Sequence, residues 1–307
     1  MEIKQKLRSF TVFAASLLWA ADAPFRKPLL VGGLAPAFVS FLEHVVNSLL
    51  SLPGLLASFG RLKSLSFKQW AGLVYIGAGA SAWAAVLFVQ GAVAMNYNFT
   101  VAALLQKLQP VFAIFLAMVF LKERPRGKFW LLAPVALLGA YGVTFGWANP
   151  VALWSGTGSG FLSGPALAIA AAALWAGGTV VGRSLVLGLD LQLVNGMRFV
   201  FGLLFLAALL IFSSGFQFNL MAGLYWQNVI IISILTGFAA LLIYYFGLKH
   251  TPASLATLME LGYPLAVTLV NWKFLGIALS LSQIAGGAVL LFAILGLNLG
   301  QLKSSAS

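Results

Sequence analysis

The sequence predicts an all-α integral membrane protein of ten transmembrane helices, arranged as two inverted five-helix repeats. Three observations carry this. Hydrophobic residues make up 61% of the 307 and charged residues only 8%, with a mean hydropathy of +1.00; so few charges cannot clothe a soluble globule of this size. Apolar runs of about 20 residues, the length that crosses ~30 Å of hydrocarbon, recur along the chain. The chain also repeats itself with a shift of about 154–156 residues.

The runs fall near 9–30, 34–55, 70–93, 98–121, 129–148, 163–183, 191–213, 224–248, 252–272 and 278–300. They are continuous rather than alternating, which favours helices over barrel strands. The basic opening, MEIKQKLRSFTVFAASLLWAADAP, has no clear A-x-A-like site after its apolar run and reads as a retained first span. Lys4, Lys6 and Arg8 precede that span. Arg61, Lys63 and Lys68 lie after the second, and Lys122, Arg124, Arg126 and Lys128 after the fourth. Arg183, Lys249 and Lys303 fall on the same side. The loops around 31–33, 94–97, 149–162 and 214–223 hold no Lys or Arg, and only Arg26, Lys27 and Lys273 break the pattern. Because Lys and Arg resist translocation, both termini are expected to be cytoplasmic, in a prokaryotic cytoplasmic membrane. The net charge of +12 therefore marks loop topology rather than nucleic acid. With no cysteine there is neither a disulfide framework nor a thiolate metal site.

The repeat sets the domains: 1–148, an outer linker at 149–162, 163–300, and a cytoplasmic tail at 301–307. LLWAADAPFRKPLL (17–30) returns as ALWAGGTVVGRSLV (173–186), and WAAVLFVQGA (83–92) as FAALLIYYFG (238–247). VAALLQKLQPVFAIF (101–115) returns within LATLMELGYPLAVTLVNWKFLGIAL (255–279), setting Pro110 against Pro264 and Gln106 against Glu260. Five spans per repeat is odd, so the second copy enters the membrane inverted, the common plan of secondary transporters. The segments GAVAMNYNFTVAALLQKLQPVFAIFLAMVFLKERP and GLKHTPASLATLMELGYPLAVTLVNWKFLGIALSLSQIAGGAVLLFAIL resemble the EamA-type repeats of the drug/metabolite transporter superfamily. Such repeats show small residues opening the fourth helix, a proline within it and a Leu-Gly-Glu after it. Here that last pattern reads Leu121-Lys122-Glu123 and Leu275-Gly276-Ile277; an arginine often found in the second helix is present as Arg198 and replaced by Glu43 in the first half. The resemblance implies a central cavity built from helices one, three, four, six, eight and nine, with five and ten at the periphery. It also implies export or import of small metabolites, including amino acids.

Asp22, Glu43, Lys107, Arg198 and Glu260 sit inside spans. Each charge costs ~2.5–3.5 kcal/mol at a helix centre, so five facing lipid would cost roughly 12–18 kcal/mol. They must face one another or a wet cavity. The repeat register predicts the ion pairs Glu43–Lys107 and Arg198–Glu260. Such bridges either fix helix register or include a proton carrier, for which Glu260 is the first candidate and Asp22 the second; Asp22 has an alternative partner in Arg26, one turn on. His44 titrates in a useful range but more often such a histidine is merely hydrogen-bonded. Pro110 and Pro264 each free a carbonyl one turn earlier and kink their helices, as cavity walls or as packing devices. Trp19, Trp83, Gln90, Gln106, Trp175, Tyr244, Tyr245 and Tyr263 are the candidate substrate contacts, since aromatic faces and a few amides suit an amphipathic solute; aromatic side chains also anchor helices at the interface. Gly77, Gly79 and the pair Gly296/Gly300 permit close helix approach, the last pair suiting a homodimer contact.

The expected function is secondary active transport of small organic metabolites, amino-acid-like or aromatic, working by alternating access and preferentially as an exporter. Proton-coupled import of a sugar or organic anion is the alternative within transport; a lipid flippase or a membrane-embedded enzyme is the alternative of another class. There is no Walker-type Gly-x-x-x-x-Gly-Lys-Ser/Thr for ATP. With two histidines and no H-E-x-x-H, no metal and no cofactor are expected. The partners expected are a small-molecule substrate and the bilayer, with proton coupling.

Overall fold

A computed structural model describes residues 2–95, 99–151, 163–213, 215–221, 223–275 and 278–304. Most of the expected linker at 149–162 and the end of the tail lie outside them, as do Gly276 and Ile277. All regular structure among the described residues is helical. Eight of these helices are long and apolar enough to cross a membrane, and Phe129–Phe145 is a shorter apolar helix.

In chain order the helices are α1 (Glu2–Trp19), α2 (Asp22–Val31) and α3 (Pro36–Ala57). Then come α4 (Phe67–Ala94), α5 (Phe99–Gln106), α6 (Gln109–Phe120) and α7 (Phe129–Phe145). The second half has α8 (Ser163–Gly188), α9 (Leu191–Phe212), α10 (Gly223–His250), α11 (Ala253–Met259), α12 (Gly262–Leu275) and α13 (Leu281–Ser304). Local chemistry sets several starts. Ser66 and Gln69 form a reciprocal capping box at α4, and Ser280 with Gln283 makes the same exchange before α13, each meeting orphan backbone donors.

Prolines decide where the helices break. Pro110 cannot donate a backbone hydrogen bond, and its ring excludes the Gln106 carbonyl; Pro264 does the same to Glu260. The backbone accordingly turns at 107–108 and 260–261, so the paired segments α5/α6 and α11/α12 are bent helices. Pro24 acts alike on Ala20. The expected first span, 9–30, is therefore not one helix but α1 and α2, joined by a turn at Ala20–Ala21. Two other helices widen instead of breaking: α4 carries π-helical turns over Tyr75–Trp83 and α10 over Ser233–Ala239. Such turns occur frequently at functional sites.

Packing between the halves is reciprocal. α1 lies on α10 and α8 on α4; α3 lies on α9, and α7 on α13. α9 also packs on the π stretch of α4, and α3 on that of α10. One relation is lopsided. α6 packs along α11, whereas α5 and α12 at the opposite end make no comparable contact among the described residues. The packed end is sealed by Glu123, which accepts from the backbone N–H groups of Ala253 at 2.7 Å and Ser254 at 2.9 Å and from the Ser254 hydroxyl at 2.6 Å. A carboxylate at a helix N-terminus meets both the free donors and the positive end of the dipole. Lys122, where the resembled pattern has glycine, takes a left-handed φ of 55° to turn Glu123 into place.

Close helix contacts rest on glycine where backbones meet. A Cβ at Gly77 would stand 2.6 Å from the Arg198 carbonyl oxygen, so α4 touches α9 directly. Gly79, by contrast, faces only the Tyr75 ring. Gly296 meets the Leu132 side chain of α7, so it serves packing within the chain rather than an outer face, while the surroundings of Gly300 lie outside the described side chains. At the α7–α13 crossing a Cβ on Gly286 would lie 2.4 Å from the Val143 nitrogen. Gly286→Leu is expected to lower the thermal midpoint of the purified protein, at a cost of about 1–3 kcal/mol or more. Gly60→Ala, with nothing within 4 Å of the added carbon, should leave it in place; equal midpoints for the two variants would contradict this crossing.

Candidate functional site

The two proline breaks face each other near the middle of the bundle and bound a cavity of about 310 Å³. Gln106, Lys107, Gln109 and Pro110 line one side, and Glu260, Leu261, Tyr263 and Pro264 the other. The rest of the wall comes from the C-terminal Trp19 of α1, Ala80 in the π turns of α4, Trp175, Gly178 and Thr179 of α8, Arg198 of α9, Leu241 and Tyr244 of α10, and Thr257 of α11. A helix break exposes backbone polarity that lipid does not tolerate, so breaks belong against protein or a solute chamber. Here both breaks open onto one chamber.

Glu260 is held by three donors. The Tyr244 hydroxyl lies 2.8 Å and the Thr179 hydroxyl 3.2 Å from Oε1, and the Gln109 amide donates to Oε2 at 3.1 Å. The Trp19 and Tyr244 rings sit 5.3 Å apart, tilted, and Trp175 packs on Phe88 at 5.6 Å. Arg198 donates from one terminal nitrogen to the Tyr245 hydroxyl at 3.0 Å, while its buried Nε has no partner among the described residues. The Thr257 hydroxyl is likewise buried and unmet among them.

The ion pairs expected from the repeat register are not formed. Glu43 pairs with Arg26 at 2.8 Å, and Arg26 also grips Asp22 with its Nε and a terminal nitrogen at 2.5 and 2.9 Å. The reason is reach. Arg26 lies one turn beyond Asp22 on α2, and the bend at Ala20–Ala21 sets that short helix so that one guanidinium spans both carboxylates. The Thr236 hydroxyl approaches Asp22 at 3.4 Å. Lys107 has no carboxylate within ion-pair distance among the described residues, nor has Arg198. Asp22 and Glu43 thus stand apart from the cavity, whereas Lys107, Arg198 and Glu260 line it.

Of the eight expected contacts, Trp19, Gln106, Trp175, Tyr244 and Tyr263 line the cavity. Trp83 does not; it is 40% exposed and turned onto Phe205. Gln90 is exposed as well. Tyr245 is fully buried in the core, one residue and therefore about 100° round the helix from Tyr244. His44 donates from Nδ1 to the Ser40 carbonyl (2.8 Å), and its Nε2 meets the Ser81 hydroxyl (3.1 Å), a satisfied packing histidine. Thr179, Gln109 and Thr257 escaped the sequence reading. A signal existed for the first: Thr179 lies four residues after Trp175, on the same helix face. Arg26→Met, which strands the buried Glu43 carboxylate and the partly buried Asp22, is expected to destabilise the fold by up to about 3 kcal/mol. Lys107→Met, which breaks no pair, should cost far less; thermal unfolding of both variants checks this assignment, and the reverse order would overturn it.

Comparisons with known proteins agree with this architecture. A curated relative, the riboflavin transporter ImpX of Fusobacterium nucleatum subsp. nucleatum, is 28% identical over 289 residues, covering 92% of this chain and 95% of its own. A solved crystal structure with 19% identity covers 94% of both chains at a TM-score of 0.77, a likeness of fold. The profile of the EamA-like transporter family matches twice, at residues 7–145 and 162–299. With nearly the whole length matched by that profile, the chain is an integral membrane transporter rather than an enzyme, and it belongs to the EamA-like transporter family.

Proposed function

We propose that this chain carries a small ring-bearing solute through the central cavity by alternating access, with riboflavin as the first candidate. The observation that carries the reading is the cavity itself: two proline-broken helices, four aromatic side chains (Trp19, Trp175, Tyr244 and Tyr263) and a triply hydrogen-bonded Glu260 around about 310 Å³. Planar rings stack on aromatic faces, and a few placed polar groups set orientation. The relative that transports riboflavin supports a flavin-like solute.

The reciprocal packing of α1 on α10 and α8 on α4 supports ten spans in two inverted repeats, with α1 and α2 together making the first. In that frame the end sealed by Glu123 is the cytoplasmic gate, because it adjoins the Lys122–Lys128 cluster. The unmatched α5–α12 end is the outer mouth. Opening the first and closing the second would complete the cycle, with the breaks at 107–108 and 260–261 as flex points. Glu260 is the candidate coupling carboxylate, since its three donors lie in the wall that has to rearrange.

Reconstituted into liposomes, the protein is expected to exchange riboflavin in counterflow, and an imposed pH gradient should drive net movement whose sign gives the direction. Trp19→Ala should weaken exchange roughly tenfold, in line with the loss of one ring contact. Glu260→Gln should keep exchange and lose gradient-driven accumulation. Gradient-driven accumulation by the Gln variant would remove Glu260 from coupling; exchange unaffected by Trp19→Ala would remove the cavity from the path.

A further inference from the structure

We propose that the cavity selects solutes bearing an anionic group, which seats between Lys107 and Arg198 beside the aromatic wall. The proposal rests on the reading of this cavity as the path of a ring-bearing solute and names the second half of that solute's chemistry. It follows from the charges the cavity leaves unspent.

Three ionisable groups other than tyrosine line it, two cations and one anion. The anion is already committed: Glu260 takes hydrogen bonds from Tyr244, Thr179 and Gln109, on both its oxygens. Neither cation lies within 4.0 Å of a carboxylate among the described residues. The carboxylates that could have neutralised them, Asp22 and Glu43, are held by Arg26. Lys107 stands at the break between α5 and α6, at the cavity wall. Arg198 has spent one terminal nitrogen on a tyrosine, and its buried Nε–H has no acceptor among the described residues. Thr257, fully buried on α11, has a hydroxyl unmet among the described residues.

Unmet donors of this kind are costly in a protein interior. The Lys107 ammonium and the Arg198 guanidinium, both at the cavity wall, call for one acceptor group with several oxygens. A carboxylate or phosphate meets that description, and a neutral ring system alone does not. The N-terminal end of α6 opens at the same place and adds a positive dipole end. Trp19 and Trp175 would then hold the ring portion. The class is an aromatic or heteroaromatic acid, of which flavin phosphate is one instance.

The test uses matched neutral and anionic probes on the full-length protein in lipid nanodiscs: riboflavin against riboflavin 5′-phosphate, and indole-3-acetamide against indole-3-acetate. Binding is read by tryptophan fluorescence and calorimetry. The anionic member of each pair is expected to bind about tenfold tighter or more, as a charge-assisted hydrogen bond allows, and to weaken as salt is raised. Lys107→Met should abolish that preference, bringing the anionic member of each pair down to about the affinity of its neutral partner, and Lys107→Arg should retain it. Equal binding within the pairs, or a preference that survives Lys107→Met, would overturn the proposal while sparing the aromatic-solute reading. Binding of none of the four probes would overturn both.

Discussion

Arg26 is the residue on which the arrangement of charge depends. A membrane interior supplies no water to an ionised side chain, so each buried charge has to be answered by another group of the protein. Arg26 answers two at once, Asp22 along its own helix and Glu43 across on α3. That double grip ties the broken first span to the second and, through Thr236, lies against the π stretch of α10. It also removes both carboxylates from competition for Lys107 and Arg198. The positive cast of the cavity follows from where Arg26 sits.

Proline supplies the complementary constraint. In water a broken helix is solvated; in lipid its freed carbonyls have to face protein or a chamber. Pro110 and Pro264 break their helices at matching positions of the two halves, and the breaks face across one cavity. Neighbouring helices adapt rather than break. α4 and α10 carry π turns instead, with Ala80 within the first, and Leu241 and Tyr244 just beyond the second, at the wall. Rigid helices thus position the aromatic and polar groups, while the interruptions supply the places that bend.

The halves are alike in packing but not in their ends. Glu123 caps α11 with three hydrogen bonds, and the corresponding position in the second half is Ile277, which has no charge to offer the start of α5. One end of the α5/α6–α11/α12 pair is accordingly pinned by electrostatics.

Much was legible in the residues themselves. Apolar run length located the eight helical stretches long and apolar enough to cross a membrane, loop lysines and arginines set the expected sidedness, and Pro110 and Pro264 located the breaks that line the cavity. These are local properties, dictated by hydrocarbon thickness and by a missing N–H. The partners of the buried charges were decided by tertiary structure. Repeat register set Glu43 against Lys107, yet the bend produced by Pro24 turned α2 so that Arg26 reached Glu43 first. The same holds for Tyr244 and Tyr245, adjacent in sequence, of which one faces the cavity and the other the core. Pairing and facing depend on the rotation and tilt of whole helices, which only packing against the other helices determines.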